Sequence, residues 1–293
     1  GGIPIIKALM EGLASNKITK ISGVMNGTCN YILSRMEATN GSYEEIFSEA
    51  QNLGYVEADP SLDVGGIDAA QKLAILSSIA FQSEINFNDI EIEGIEQISL
   101  ADIQNAKALG YRIKLIGTAE LTTEGIYQGV QPCLVPKTSA ISKLEGGTNM
   151  ITIDSDFVGQ TSFSGPGAGS GPTASAVVAD LIDIAQGKKM PVFGLKVNSL
   201  KKFKKGNLGV NRCYYIRLSL VDRPGALAKV ATILGKNQVS IDRMRQTAHD
   251  GDEAPLLIVT HKIMRPNLNH ALSQIENLDV CLSPPVALRI EEI

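Results

Sequence analysis

Residues 111–135 read YRIKLIGTAELTTEGIYQGVQPCLV. Two β-branched runs, Tyr111 to Glu120 and Tyr127 to Val135, flank a turn-forming segment, which predicts two neighbouring strands. Similar runs follow at Met150 to Ile153 and Val158 to Phe163. Because helical segments surround this consecutive set of strands, we predict an α+β fold for the first part of the chain.

The segment before these strands carries helix signals. Ser42 and Glu45 are spaced as a capping box, which starts a helix that Gly54 is placed to end. A second, mostly apolar helix is predicted from Asp68 to about Phe81.

The chain beyond residue 210 has a different pattern, with strands and helices in the order β-α-β-β-α-β. The strands are predicted at Tyr214 to Val221, Val239 to Gln246, Pro255 to Ile263 and Val280 to Ile290, and the helices after Arg223-Pro224-Gly225 and at Asn267 to Ile275. This order is typical of a ferredoxin-like unit. We therefore divide the chain into residues 1–195, a linker at 196–210 and a second domain at 211–293.

Composition excludes several classes of protein. The 293 residues carry a formal net charge of −4, which argues against a general nucleic-acid binder. The sequence contains no run of about 18 apolar residues and therefore predicts no membrane span. The cysteines are far apart and show no metal-binding spacing, which favours a reduced, cytoplasmic protein. They are Cys29, Cys133, Cys213 and Cys281.

The stretch from Glu57 to Lys72 contains the strongest candidates for residues that take part in chemistry. Asp68 and Lys72 are four residues apart on a helix that is otherwise apolar, and a charged pair on a mostly buried helix must be satisfied. A lysine among carboxylates can exchange a proton with a substrate oxygen, and the carboxylates can bind a substrate ammonium. The alternative is an ordinary surface ion pair.

A glycine-rich loop from Gly165 to Gly171 precedes an apolar helix predicted from Pro172 to Ala185. It fits neither the dinucleotide fingerprint nor the P-loop. It either attracts an anion to the helix N-terminus or lets two backbones approach closely. The helix is apolar on more than one side. This pattern indicates either that two layers of structure pack against the helix or that one packing layer is missing. The basic residues 199–205 are read as an anion-binding patch or a solvated linker.

These motifs together resemble the homoserine dehydrogenase family over nearly all of residues 1–195. The resemblance rests on Gly2 to Ile6, Gly27 to Ile32, Leu53 to Pro60, Asp63 to Lys72, Gly165 to Gly169 and Pro172 to Val177. The segment from Tyr214 resembles an ACT domain, an amino-acid-sensing module. The resemblance implies NAD(P)-linked interconversion of L-homoserine and L-aspartate 4-semialdehyde in threonine, methionine and isoleucine biosynthesis.

The resemblance also implies a role for individual residues. Lys72 matches the proton donor and acceptor at the substrate oxygen, with Asp68 beside it as a catalytic residue. The positions that match substrate-binding residues are Glu57, Asp63, Thr28, Gly54 and Tyr55. The positions that match a segment near the cofactor are Gly165, Gly167, Ala168 and Gly169.

The chain also departs from the family pattern, because it has no G-x-G-x-x-G motif of a nucleotide-binding domain. We therefore expect this fragment to lack the main NAD(P) site and to be inactive alone. A monovalent-cation site of the family would retain only the backbone carbonyls of Gly1 and Ile3.

The ACT resemblance implies a regulatory ligand, with threonine as the candidate, at an interface between ACT domains. The matching residues are Arg223, Pro224, Gly225 and Ala226. The alternative function for the chain is an amino-acid-binding regulatory or dimerisation module without catalysis. The apolar strands after residue 110 favour a homodimer or higher oligomer.

Overall fold

The computed structural model describes residues 1–55, 59–207, 211–246 and 252–293. They group into two compact units, Gly1–Asn207 with Ile293, and Leu208–Glu292. Among the described residues, no helix is both long enough and apolar enough to cross a membrane.

The first unit is built on an antiparallel sheet in the strand order β6-β5-β1-β3-β4, with the short β2 pairing in parallel with β4. The strands are β1 (Ile18–Val24), β2 (Glu91–Ile92), β3 (Tyr111–Leu121), β4 (Ile126–Pro136), β5 (Thr148–Ser155) and β6 (Gln160–Pro166). The predicted sheet is thus confirmed. The central strand β1 pairs with β3 on one side and β5 on the other, so that Ser22 lies opposite both Thr118 and Thr152.

Helices cover this sheet and connect its strands. They are α1 (Ile5–Lys7), α2 (Gly27–Thr39), α3 (Tyr43–Asn52), α4 (Ser61–Val64), α5 (Ile67–Phe81), α6 (Leu100–Ala108) and α7 (Ser170–Ala185). Helix α5 packs on β1, β3 and β4 and is buried along most of its length, as its apolar sequence predicts. Helix α2 starts directly after β1, which places its first turn at the end of the central strand.

Both local signals around α3 are confirmed. The Ser42 side chain accepts from the backbone N–H of Glu45, and the Glu45 side chain accepts from the backbone N–H of Ser42. Gly54 follows the helix with a φ of 72°, a conformation that a glycine adopts without strain.

Helix α7 begins at Ser170, so the predicted start at Pro172 is two residues late. Proline is tolerated in the first turn because its missing N–H would have no partner there. Only residues 167–169 of the predicted loop lie outside regular structure. No residue of α7 is buried among the described residues, and Ile184 is 71% exposed. The apolar faces of α7 are therefore exposed in this chain, and two covering layers are not seen among the described residues.

The basic segment is tied to the first unit by its backbone. Lys201 donates to the carbonyl of Gln82 at 2.9 Å, and Gly206 donates to the carbonyl of Ile126 at 2.8 Å. The Lys205 ammonium lies 3.3 Å from a carboxylate oxygen of Glu91. Residues 201–206 therefore run along the edge of this unit, and part of their charge is compensated.

The second unit is an antiparallel sheet in the order β10-β7-β9-β8 with two helices, which confirms the ferredoxin-like prediction. Its elements are β7 (Tyr214–Val221), α8 (Ala226–Lys236), β8 (Ile241–Gln246), β9 (Glu253–Thr260), α9 (Arg265–Glu276) and β10 (Val286–Ile290). Its core joins strand residues such as Ile216 and Ile258 to helix residues such as Val230 and Leu268.

The last strand is shorter than predicted. The sequence predicts it from Val280, but β10 begins at Val286. Pro284 and Pro285 lie immediately before it and have no backbone N–H to donate to a neighbouring strand. The ladder therefore starts only beyond them.

Candidate active site

Lys72 lies on α5 with its ammonium at the centre of a small polar cluster. Its Nζ is 2.6 Å from Oδ2 of Asp68, one turn earlier, and 3.3 Å from the backbone carbonyl of Met25. The Lys72 side chain is 46% exposed. The charged pair predicted from the sequence is thus formed on one helix face, within reach of solvent.

Asn26 connects this pair to a second carboxylate. Its Nδ2 donates to Oδ1 of Asp63 at 2.7 Å and to Oδ2 of Asp68 at 2.9 Å. Its Oδ1 accepts from the backbone N–H of Cys29 at 2.8 Å, which caps α2. Asn26 is only 4% exposed. Asp63 on α4 and Asp68 on α5 are therefore held together by one buried amide.

No pattern in the sequence identifies Asn26 as a functional residue. The available signal was an asparagine directly before the start of α2, which is typical of a helix cap. Its carboxylate partners are 37 and 42 residues away in the chain, so local patterns do not indicate the second role.

Thr28 and Tyr55, both predicted to line the substrate pocket, contact each other. The Thr28 hydroxyl donates to the backbone carbonyl of Tyr55 at 2.9 Å. The Tyr55 ring is half-exposed and lies 4.7 Å, centroid to centroid, from the ring of Tyr31. A Cβ at the neighbouring Gly54 would meet no atom of the described residues within 4 Å. Glu57 lies outside the described residues.

A set of side-chain hydrogen bonds next to Tyr55 connects α2 to α3. The Tyr31 hydroxyl donates to Glu49 at 2.7 Å, and Arg35 donates to both oxygens of the same carboxylate. The hydrogen bonds from Arg35 and Tyr31 lower the pKa of Glu49 below its ordinary value. The carboxylate therefore stays ionised and holds the Tyr31 ring against Tyr55.

Cys29 is not a nucleophile in this arrangement. Its thiol is fully buried and donates to the backbone carbonyl of Asp63 at 3.2 Å. Burial raises the pKa of the Cys29 thiol, and the charges of Asp63 and Asp68 add to that effect. The thiol stays protonated and ties α2 to α4.

A second lysine supports α2 from beneath. Lys114 on β3 is 2% exposed, and its Nζ donates to Oδ1 of Asn30 at 2.8 Å and to the carbonyl of Leu144 at 2.6 Å. Burial lowers the pKa of Lys114 to about 8. This lysine, which the sequence analysis missed, holds α2 one turn after Asn26.

The glycine segment makes a close backbone approach. The backbone N–H of Gly2 donates to the carbonyl of Gly167 at 3.2 Å, and a Cβ on Gly1 would lie 2.7 Å from that oxygen. The structure thus shows the close backbone approach that the second interpretation of this loop predicts, whereas anion binding stays a prediction. Gly165 also lies against this segment, since a Cβ there would meet Ile3 at 3.7 Å.

The same segment retains polar groups suited to a cofactor. Gly169 precedes α7 without a side-chain cap, and Ala168 beside it is exposed. Oδ1 of Asn149 is buried without a hydrogen-bond partner among the described residues. A cavity of about 730 Å³ lies between α7 and residues 1–7. Uncapped helical N–H groups and an unpaired amide oxygen fit a ligand with both acceptors and donors.

The described residues contain no group of three or more His, Cys, Asp or Glu side chains arranged to hold a metal ion. The carbonyl of Ile3, one of the two predicted cation ligands, accepts from the backbone N–H of Ile5 at 2.8 Å. The other, Gly1, lies against Gly167.

In the second unit, the turn before α8 lines a cavity of about 420 Å³. Its walls include Arg223, Pro224, Gly225 and Ala226, the four residues predicted to bind a regulatory ligand. Gly225 has a φ of 90°, which favours glycine at this position. The Arg223 guanidinium and the Lys229 ammonium both contact the Asp279 carboxylate, and Lys229 does so at 2.6 Å.

The fold and this cluster define an α+β protein of two units, one with a lysine–carboxylate cluster and one with a ferredoxin-like fold. The family model for homoserine dehydrogenase matches residues 4–182, and the ACT domain model matches residues 214–280. The chain belongs to the homoserine dehydrogenase family of oxidoreductases and carries an ACT domain.

Similar proteins support this assignment over the whole chain. A homoserine dehydrogenase of Pseudomonas aeruginosa is 40% identical, with 100% of this chain and 70% of that protein covered. One from Bacillus subtilis is 37% identical, covering 99% and 68%. The crystal structure of a homoserine dehydrogenase from Thiobacillus denitrificans superposes with a TM-score of 0.92 at 41% identity, covering 100% of this chain and 68% of that one.

Homoserine dehydrogenases use NAD(P). One similar structure, a hyperthermophilic archaeal homoserine dehydrogenase mutant, is described as a complex with NADPH. It is 28% identical with a TM-score of 0.56, covering 64% of this chain and 54% of that one.

Proposed function

We propose that the first unit binds L-homoserine and L-aspartate 4-semialdehyde and that Lys72 moves the proton during their NAD(P)-dependent interconversion. The observation that carries this proposal is the Lys72 ammonium 2.6 Å from Asp68, whose carboxylate Asn26 also binds. A partly exposed lysine amine beside carboxylates is the group that this reaction needs.

The chemistry assigns a defined task to the lysine. The hydride on the alcohol carbon of homoserine would leave to NAD(P)⁺, and hydride acceptance is the chemistry that the bound cofactor would supply. The hydroxyl proton must leave at the same time, and the uncharged Lys72 amine accepts it as the carbonyl forms. In the opposite direction the Lys72 ammonium returns the proton to the aldehyde oxygen. Because Lys72 is 46% exposed, it exchanges that proton with solvent between turnovers.

The carboxylates serve the other end of the substrate. Asp63 and Asp68 lie beside Lys72 and offer negative charge to an amino acid's ammonium group. The resemblance to the family implies that Glu57, which lies outside the described residues, also binds the substrate. Thr28, Gly54 and Tyr55 would form the pocket wall.

The glycine segment is the part of this chain that we assign to the cofactor. Gly165, Gly167, Ala168 and Gly169 present backbone groups with little side-chain bulk. The sequence contains no dinucleotide fingerprint, so we propose that these residues turn over substrate only when joined to a nucleotide-binding domain. The Gly1 and Ile3 carbonyls stay a prediction for part of a monovalent-cation site.

For the second unit we propose a regulatory role. The cavity beside Arg223 to Ala226 would bind an amino acid, with L-threonine as the first candidate, and the complete protein would be a homodimer or higher oligomer. Calorimetry with L-threonine tests this role. Absence of heat at concentrations that inhibit turnover would overturn it.

Substitution of Lys72 tests the catalytic proposal, in a protein that joins these residues to a nucleotide-binding domain. Lys72→Ala should lower kcat for homoserine oxidation by about 10²- to 10⁴-fold while the melting temperature stays unchanged. Lys205→Ala is the matched control, since Lys205 is a similarly exposed lysine in an ion pair with Glu91. Equal turnover in both variants would overturn the assignment of Lys72.

A further inference from the structure

We propose that Asn26 is a positioning residue that holds Asp63 and Asp68 side by side and thereby sets the place of the Lys72 amine. The proposal rests on the proposed role of Lys72. It assigns a second task to a side chain whose visible local role is to cap α2.

The Asn26 amide uses its hydrogen-bonding groups on three different partners. Oδ1 accepts from the backbone N–H of Cys29, and the two protons of Nδ2 go to Asp63 and to Asp68, at 2.7 and 2.9 Å. At 4% exposure the amide is shielded from water that could replace these bonds. A buried amide with its donors on two carboxylates fixes the distance between them.

The chemical nature of the side chain matters here. Two carboxylates close together repel each other, and a donor between them offsets that repulsion. Asparagine supplies two N–H donors without a charge of its own, so it satisfies both carboxylates and adds no second positive charge beside Lys72. A serine would supply one donor, and an aspartate none.

The contact with Lys72 runs through a shared atom. Oδ2 of Asp68 accepts both from Nδ2 of Asn26 and from Nζ of Lys72. The other described partner of the Lys72 ammonium is the carbonyl of Met25, the residue directly before Asn26. The turn between β1 and α2 therefore makes both contacts. The Met25 carbonyl accepts from Lys72, and the Asn26 side chain donates to both carboxylates.

The helix-capping role and the positioning role can be separated by substitution. Asn26→Asp and Asn26→Ser both retain an oxygen that can cap α2. Asn26→Asp replaces the donors by a third negative charge, whereas Asn26→Ser removes at least one donor without adding charge. Ser99→Ala is the control for cap loss alone, because Ser99 caps α6 away from this cluster.

The measurement, in a protein that joins these residues to a nucleotide-binding domain, is the pH profile of kcat for homoserine oxidation, with the melting temperature as a second readout. The other titratable groups near Asn26 are Asp63, Asp68, Lys72, Cys29 and Glu96, the last through its charge on the Cys29 thiol. In Asn26→Asp we expect kcat to fall at least tenfold and the low-pH limb to move to higher pH, because added negative charge holds the proton on the Lys72 amine. In Asn26→Ser we expect a loss of kcat with the limb in place.

A purely structural role gives a different pattern. Both Asn26 variants would then keep the wild-type kcat and pH profile and differ from wild type in melting temperature alone, as Ser99→Ala does, and the proposal would be wrong. This failure is distinct from failure of the proposed function. If only the Asn26 proposal fails, Lys72→Ala is inactive and the Asn26 variants are normal. If the proposed function fails, Lys72→Ala itself is active.

Discussion

The ammonium nitrogen of Lys114 lies 2.8 Å from Oδ1 of Asn30 across the interface between β3 and α2. The same nitrogen donates to the carbonyl of Leu144 and lies 3.3 Å from the Ser34 hydroxyl. Asn30 in turn donates to the carbonyl of Gly146 at 2.8 Å. A buried lysine thus anchors the helix that begins at Asn26.

This lysine makes stability depend on pH in a specific way. Burial lowers the pKa of Lys114 to about 8 from its ordinary value of 10.5. Between these values the unfolded chain binds more protons than the folded one, so the free energy of unfolding rises with pH. Relative to Lys114→Met, the wild type should gain about 3 kcal/mol from pH 7 to above pH 10. Urea unfolding of both proteins measures the difference, and a constant difference would contradict the prediction.

The contact between Thr28 and Tyr55 should affect substrate binding. Thr28→Val keeps the side-chain shape but removes the donor to the Tyr55 carbonyl, which costs about 1 kcal/mol. We expect KM for L-homoserine to rise about fivefold, a factor equivalent to that cost, with a smaller effect on kcat. Thr28→Ser restores the hydroxyl and should recover most of the loss. Steady-state kinetics would refute this if the valine variant kept the wild-type KM.

The close packing of β1 against β5 leaves no room for a side chain at Gly23. A Cβ there would lie 2.1 Å from the carbonyl oxygen of Met150, a backbone atom that cannot move away alone. Gly23→Ala should therefore destabilise the first unit by about 1–3 kcal/mol. Gly171→Ala is the control, because a Cβ at Gly171 meets nothing within 4 Å. Thermal unfolding of the two variants should separate them clearly, and equal melting temperatures would count against the close approach.

Asp279 should matter for the regulatory unit. Hydrogen bonds from Lys229 and Arg223 lower the pKa of Asp279 below its ordinary value, so the carboxylate anchors both cations across the neutral range. Asp279→Asn weakens that anchor and should weaken L-threonine binding, measured by calorimetry, because the turn at Arg223 loses its tether. As pH falls through the lowered pKa of Asp279, the wild-type carboxylate is protonated and its advantage over the variant should disappear. A variant with unchanged affinity at neutral pH would show that the tether is irrelevant to the ligand.

Local patterns in the sequence were sufficient for much of the architecture. The β-branched runs after residue 110, the capping box at Ser42 and the β-α-β-β-α-β order each depend on residues close together in the chain. The errors fall at element ends, and two of them lie beside prolines, where α7 begins before Pro172 and β10 begins only after Pro285.

The sequence by itself determined the two units, the family resemblance and the pairing of Asp68 with Lys72, since a four-residue spacing on a helix brings two side chains together. Only the tertiary structure decided what surrounds that pair. Asn26 reaches carboxylates 37 and 42 residues away, and Lys114 reaches Asn30 across 84 residues. Such contacts form because strands and helices that are distant in the chain pack together. The local spacing of apolar and polar residues does not predict which of their side chains will come into contact.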